Sequence, residues 1–141
     1  MGRKKYLQPL AAAGMIGAMA VGSVFNSYAA DGWTKSNDHW TYIYQGKTYT
    51  GWLETSEGKY YMDLSDGHMT TGFKQIDGKW YFFRPNGVMA QNRWANPEYG
   101  KWYYFLDDGT MVTGWLKIGN DYYFMRGDGS MGTGWRQMEG S

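Results

Sequence analysis

The sequence predicts an all-β fold, a solenoid of stacked β-hairpins with about 21 residues per repeat, on three observations. Glycine–aromatic pairs or their equivalents recur at Gly51-Trp52, Gly72-Phe73, Arg93-Trp94, Gly114-Trp115 and Gly134-Trp135, at steps of 21, 21, 21 and 20 residues. A fixed period of this length marks a repeat architecture. A second aromatic group follows each pair: Tyr60-Tyr61, Trp80-Tyr81-Phe82-Phe83, Trp102-Tyr103-Tyr104-Phe105 and Tyr122-Tyr123-Phe124. Seven residues after the first member of each group stands a glycine (Gly67, Gly87, Gly109, Gly129), and two residues later a methionine (Met69, Met89, Met111, Met131).

The elements follow in chain order. Residues 1–29 read as a secretory signal peptide: Arg3, Lys4 and Lys5, an uncharged apolar run from Leu10 to Phe25, and a small-x-small cleavage pattern ending at Ala29. The apolar run is 16 residues, short of the roughly 20 that a spanning helix needs, so no membrane span is expected after cleavage. Residues 30–50 read as a degenerate capping repeat, with Gly32-Trp33, Trp40 and Tyr42 as its landmarks. Repeats are then expected at 51–71, 72–92, 93–113 and 114–133, with a partial one at 134–141. Within a repeat, Asp77-Gly78 between two short aromatic runs predicts a two-residue hairpin turn with positive φ at both positions. Gly58, Gly100 and Gly119-Asn120 hold the matching place elsewhere, with a longer turn expected around Asn96-Pro97. Asp66-Gly67, Asn86-Gly87, Asp108-Gly109 and Asp128-Gly129 mark the second turn, from one hairpin to the next. A lone hairpin is marginal in water, so the units are expected to stack on their aromatic faces.

Composition narrows the function. Beyond residue 29 the chain holds 24 aromatic residues against nine Ile, Leu and Val, so rings must either form the core or face a ligand. The same stretch carries 11 basic against 13 acidic residues, without the basic surplus that nucleic acid binding needs. There is no cysteine, hence no disulfide framework, thiolate metal site or cysteine nucleophile. His39 and His68 show no metal spacing and no serine–acid arrangement, and Glu54 and Glu57 flank a hairpin turn, where solvation is the simpler role. Asp107-Asp108 and Asp63-Leu64-Ser65-Asp66 lack the spaced oxygen ligands of a calcium loop, and Arg126-Gly127-Asp128 falls on a turn. No catalytic residue, metal or cofactor is assigned, and the expectation is a binding protein rather than an enzyme.

The pattern of a glycine–tryptophan pair, a Trp-Tyr-Tyr/Phe group and a Gly-x-Met-x-Thr-Gly-Trp link resembles the choline-binding, or cell-wall-binding, repeats of Gram-positive surface proteins, autolysins and phage endolysins. Phe73 to Trp94 and Trp94 to Trp115 match best, and the resemblance covers about residues 32–141. It implies a secreted protein attached to the cell wall through choline on teichoic acid, held in aromatic cages between successive hairpins. In that family a cage takes the ring of the glycine–aromatic pair, the first ring of the second group and a ring of the following hairpin. With side chains alternating along a strand, the expected cages are Trp94, Trp102 and Tyr123; Phe73, Trp80 and Tyr103; and Trp52, Tyr60 and Tyr81. Met131 and Met111 complete a wall. Phe73, Tyr60 and Tyr122 stand where the family favours Trp, which ranks the Trp94 cage first. Two rivals remain: rings stacked on a glucan or other surface polysaccharide, as in glucan-binding repeats, and a truncated repeat remnant whose rings are all core. Ligand-driven pairing of two arrays into a homodimer is compatible with either binding reading.

Overall fold

The structure, a computed structural model, describes residues 30–133. The expected signal peptide and the partial repeat at 134–141 lie outside the described residues. The chain divides into two compact units, with the boundary between Met69 and Thr70.

Residues 30–69 hold β1 (Gly32–Ser36), β2 (His39–Tyr44), β3 (Lys47–Thr48), β4 (Gly51–Thr55) and β5 (Gly58–Met62). β1, β2 and β3 form a three-stranded antiparallel sheet in that order, and β4 pairs with β5. Residues 70–133 hold three antiparallel hairpins: β6 (Gly72–Ile76) with β7 (Lys79–Phe83), β8 (Arg93–Glu98) with β9 (Lys101–Phe105), and β10 (Gly114–Ile118) with β11 (Asp121–Met125). Successive antiparallel hairpins are thus the architecture, as the period predicts.

The turns follow from their residues. Asp77-Gly78 adopts positive φ at both positions (50° and 77°), as do Asn37-Asp38 (47° and 65°) and Gln45-Gly46 (51° and 71°). These mirror-image turns match the right-handed twist of the strands they join. The β8–β9 hairpin differs from expectation. Asn96 and Pro97 lie in β8, whose pairing shifts register between Ala95 and Glu98, and the turn is the dipeptide Tyr99-Gly100. Proline has no N–H to give the ladder, so the extra residues are absorbed as an irregularity of the strand rather than as a longer loop.

The link after each hairpin is built the same way four times. The side chain of Asp66, Asn86, Asp108 or Asp128 accepts the backbone N–H two residues on, at 2.9–3.1 Å. The backbone then closes from Asp63 N–H to His68 C=O, Arg84 to Val88, Leu106 to Thr110 and Arg126 to Ser130. The first of these spans one residue more than the others. Each link returns a methionine to the last residue of the second strand, through the bridges Met62–Met69, Phe83–Met89, Phe105–Met111 and Met125–Met131. Met62, Phe83, Phe105 and Met125 are fully buried at these bridges. The core of residues 70–133 is accordingly aromatic: Phe82, Ala90, Tyr103 and Phe105 form one cluster, and Val112, Leu116 and Met125 form the next.

Candidate functional site

Opposed residues on an antiparallel pair share a face. On β6–β7 the opposed pairs Phe73–Phe82 and Gln75–Trp80 lie on one face, while Lys74–Tyr81 lies on the other. On β8–β9 Trp94 opposes Tyr104, and Tyr103 sits with Ala95 on the reverse face. A joint forms where the front of one hairpin meets the reverse of the next. Phe73 meets Tyr103 with ring centroids 4.9 Å apart at 66°. Trp94 meets Tyr123 at 5.0 Å and 69°. The methionine of the second hairpin is fixed to the first by its backbone: Met111 N–H donates to Trp80 C=O at 2.8 Å, and Met131 N–H to Trp102 C=O at 2.7 Å. Two of the groupings expected from sequence, Phe73/Trp80/Tyr103 with Met111 and Trp94/Trp102/Tyr123 with Met131, are therefore brought together in space.

The same construction occurs in residues 30–69, on residues that the sequence reading assigns to a capping repeat. Trp33 meets Tyr60 at 4.8 Å and 62°, and Met69 N–H donates to Trp40 C=O at 2.7 Å. Trp33, Trp40 and Met69 are the members that sequence reasoning missed. The signal was present in the alternation of Trp33, Trp40 and Tyr42, which is that of Phe73, Trp80 and Phe82.

Tyr60 is placed differently from the expected Trp52/Tyr60/Tyr81 grouping. It opposes Leu53, whereas Trp52 opposes Tyr61 with ring centroids 5.1 Å apart, so Tyr60 and Trp52 lie on opposite faces of their hairpin. The longer link after β5 is the cause. Counting back from Gly67 equates Tyr60 with Trp80, but the ladder equates it with Tyr81, Tyr103 and Tyr123. The position of Trp80 is taken on this hairpin by Lys59, opposite Glu54. Tyr81 lies half-buried in residues 70–133, its phenol pushed up by burial and by the Asp108 and Asp77 carboxylates.

Exposure separates two roles within each joint. Tyr60 and Tyr103 are buried, at 3% and 4% of their surface. Tyr123, at the same place in the Trp94 joint, is half-buried. Trp40, Trp80 and Trp102 keep 40%, 43% and 44% of their surface, so each joint has an inner tyrosine and one exposed indole at its rim. The Trp102 indole is held: with the Asn96 amide oriented to satisfy both its ends, Trp102 Nε1–H donates to the Asn96 oxygen (3.2 Å) and Asn96 donates to Glu98 C=O (2.9 Å). Burial, then the Glu98 carboxylate, pushes the Tyr103 phenol up, so it stays neutral.

Charged groups flank each joint at matching positions. Lys79 lies near Asp108 and Lys101 near Asp128, each cation helping to hold the carboxyl below its usual range. The larger cause at both is hydrogen bonding from Thr110 and Ser130, whose hydroxyls donate at 2.6 Å. At the Trp33 joint these places hold His39 and Asp66, and His39 stacks on His68 at 4.2 Å with rings 3° from parallel. His68 Nδ1 lies 3.0 Å from Asp66. Among the described residues no cluster of three or more metal-ligating side chains forms.

A corner of two or three aromatic faces with an open rim suits a compact cation that cannot donate hydrogen bonds. Ring faces attract it electrostatically, and the packed walls desolvate it.

Comparison with known proteins points the same way. A choline-binding repeat model matches residues 70–112 and 99–135, and a cell wall binding repeat model matches residues 50–69. Among solved structures, CbpJ from Streptococcus pneumoniae TIGR4 is 34% identical, covering 77% of this chain and 40% of its own, with a TM-score of 0.70. Choline binding protein F from Streptococcus pneumoniae is 40% identical, covering 79% and 38%, with a TM-score of 0.68. The pneumococcal cell wall endolysin from phage Cp-1, complexed with choline, is 34% identical, covering 63% and 26%, with a TM-score of 0.55. The chain thus spans 40% or less of the length of each of these relatives. No curated protein sequence matches significantly.

Proposed function

The chain belongs to the family of choline-binding, cell-wall-binding repeats, and from that premise we propose that it is a secreted, non-catalytic attachment protein. In this reading residues 1–29 direct export and the hairpins then hold choline groups of a wall polymer in their joints. The observation that carries the proposal is the corner geometry, ring pairs at 62–69° beside a Trp left 40–44% exposed, repeated at three joints. Each ring face contributes about 0.5–2 kcal/mol toward a quaternary ammonium, so a single joint binds weakly. Several joints engaging one polymer raise the overall affinity by avidity.

The same geometry weighs against the glucan reading. Sugar rings stack on a flat, open aromatic face with hydrogen-bonding groups beside it. Here Phe73, Trp94 and Trp33 each meet a neighbouring ring edge to face, which closes part of that surface. Structures of relatives with choline and with a peptidoglycan analogue lend support to a wall ligand.

The test is tryptophan fluorescence of the full chain, titrated with choline and separately with a dextran oligomer. A saturable response to choline alone is expected. A response to dextran alone transfers the protein to the glucan-binding class, and silence to both leaves the rings a purely structural role.

A further inference from the structure

A second kind of site lies between the end of β7 and the start of β8, where two arginines border a hollow. The hollow has a volume of about 600 Å³. Phe82, Pro85 and Trp94 give it apolar walls, Arg84 and Arg93 its charge, and no acidic residue lines it.

Arg84 is set apart by comparison with its counterpart one link on. Arg84 N–H bonds Val88 C=O as Arg126 N–H bonds Ser130 C=O, so the two arginines open equivalent turns. Arg126 spends its guanidinium on its own turn, donating from Nη1 to Ser130 Oγ and to Met131 C=O, both at 3.3 Å. Val88 offers no hydroxyl, and Arg84 Nε is buried with no hydrogen-bond partner. A buried charged donor without an acceptor is costly, and native structures rarely keep one without a use.

Arg93 is the second anomaly. It occupies the place of Gly51, Gly72 and Gly114, the only one of these four strand starts to carry a side chain. The left-handed backbone those glycines supply (φ 78–87°) is moved one residue back, to Asn92 (φ 51°), which leaves position 93 able to take a long side chain. Among the described residues neither Arg84 nor Arg93 forms an ion pair.

We propose that this hollow binds a phosphate-type oxyanion, held by the paired guanidiniums of Arg84 and Arg93 with Trp94 as an apolar wall. Guanidinium presents planar forks of N–H donors that match phosphate oxygens, and two uncompensated positive charges favour a group that can carry two negative ones over a carboxylate. The site is distinct in chemistry from the cation-binding joints, although Trp94 belongs to both.

The experiment is calorimetric titration of the full chain with inorganic phosphate, without choline and at constant ionic strength set with chloride. Omitting choline makes the result independent of the cage reading. Saturable binding is expected, weakened about tenfold or more by Arg84→Gln and by Arg93→Gly and unchanged by Arg126→Gln, with acetate about tenfold weaker. Arg93 is exposed, so Arg93→Gly carries the test if Arg84→Gln disturbs folding. A glycerol phosphodiester, which carries one charge, distinguishes sources: saturable binding weaker than inorganic phosphate but tighter than acetate assigns the site to a polymer linkage, and binding of inorganic phosphate alone assigns it to the free ion. No saturable binding by the parent chain, indifference to both substitutions, or acetate binding as tightly as phosphate overturns the proposal.

Discussion

The joint within residues 30–69 and the Trp94 joint within residues 70–133 are built on the same positions, with different surroundings. Trp33, Trp40, Tyr60 and Met69 stand in one where Trp94, Trp102, Tyr123 and Met131 stand in the other. The ring corners agree within 0.2 Å in centroid distance and 7° in angle. The flanks do not agree. Stacked His39 and His68 replace the Lys101 and Ser130 of the second joint, and Lys35 Nζ approaches to 5.9 Å of the Trp40 ring. The Trp102 indole is instead tied by Asn96. The corner is thus set by which residues oppose each other on the hairpin, and the link residues tune the charge beside it. That division predicts equal cages with unequal neighbours.

The largest expected effect breaks a corner outright. Trp33→Ala and Trp94→Ala each remove a ring that packs in a corner and, in the proposed reading, lines a cage. Each is expected to destabilise its unit by about 3 kcal/mol, the lower end for a large aromatic truncation because both rings are only half-buried. Thermal denaturation checks this; a large effect from Trp94 with none from Trp33 would break the equivalence.

Gly129→Ala tests the wall from behind. A Cβ there would collide with the Met111 side chain, and the backbone sits at φ 81°, where a side chain is strained. A loss of about 1–3 kcal/mol is expected in denaturant melts, together with weaker choline binding at the Phe73 joint, of which Met111 is part.

Asn96→Ala separates the two joints. It leaves the Trp102 N–H without its acceptor, so affinity at the Trp94 joint should fall by a few-fold, about 1 kcal/mol. The Trp33 joint has no corresponding Asn and should be unaffected, which site-resolved NMR of the indole N–H signals would show.

The smallest effect is acid sensitivity. The Asp108 and Asp128 carboxyls are held below their ordinary 3.8, chiefly by the Thr110 and Ser130 hydroxyls. A carboxyl lowered in the folded state contributes stability above its unfolded value and loses it as pH falls through the folded one. Residues 70–133 should therefore melt at constant temperature from about pH 5 to about pH 9, short of the range where the Tyr81 and Tyr103 phenols ionise, and lose stability progressively below 3.8. In Thr110→Val with Ser130→Ala that decline should be shallower.

Much of this was legible before the structure. The 21-residue period, the Asp77-Gly78 turn and the methionine after each link all correspond to observed hairpins, turns and bridges. Strand alternation also selected Tyr103 and Tyr123 as the rings facing back. What escaped is a matter of register. One additional residue in the link between Asp63 and His68 shifts any alignment counted from Gly67 and disguises Tyr60 as a rim residue when it is a packed one. The first joint was hidden because its second group reads His39-Trp40-Thr41-Tyr42, with a threonine where the other hairpins carry a tyrosine. A ladder is indifferent to that change, since Thr41 lies on the face away from Trp33. Asn96's hold on Trp102 depends on a strand irregularity, which proline signals without locating.

The most direct test of the central claim is the number of choline sites. Isothermal titration of the full chain should give a stoichiometry that falls by one in Trp40→Ala and by one in Trp102→Ala, and by two in the double substitution. A stoichiometry lowered by Trp102→Ala but untouched by Trp40→Ala would contradict the account, leaving residues 30–50 as a cap whose rings only pack.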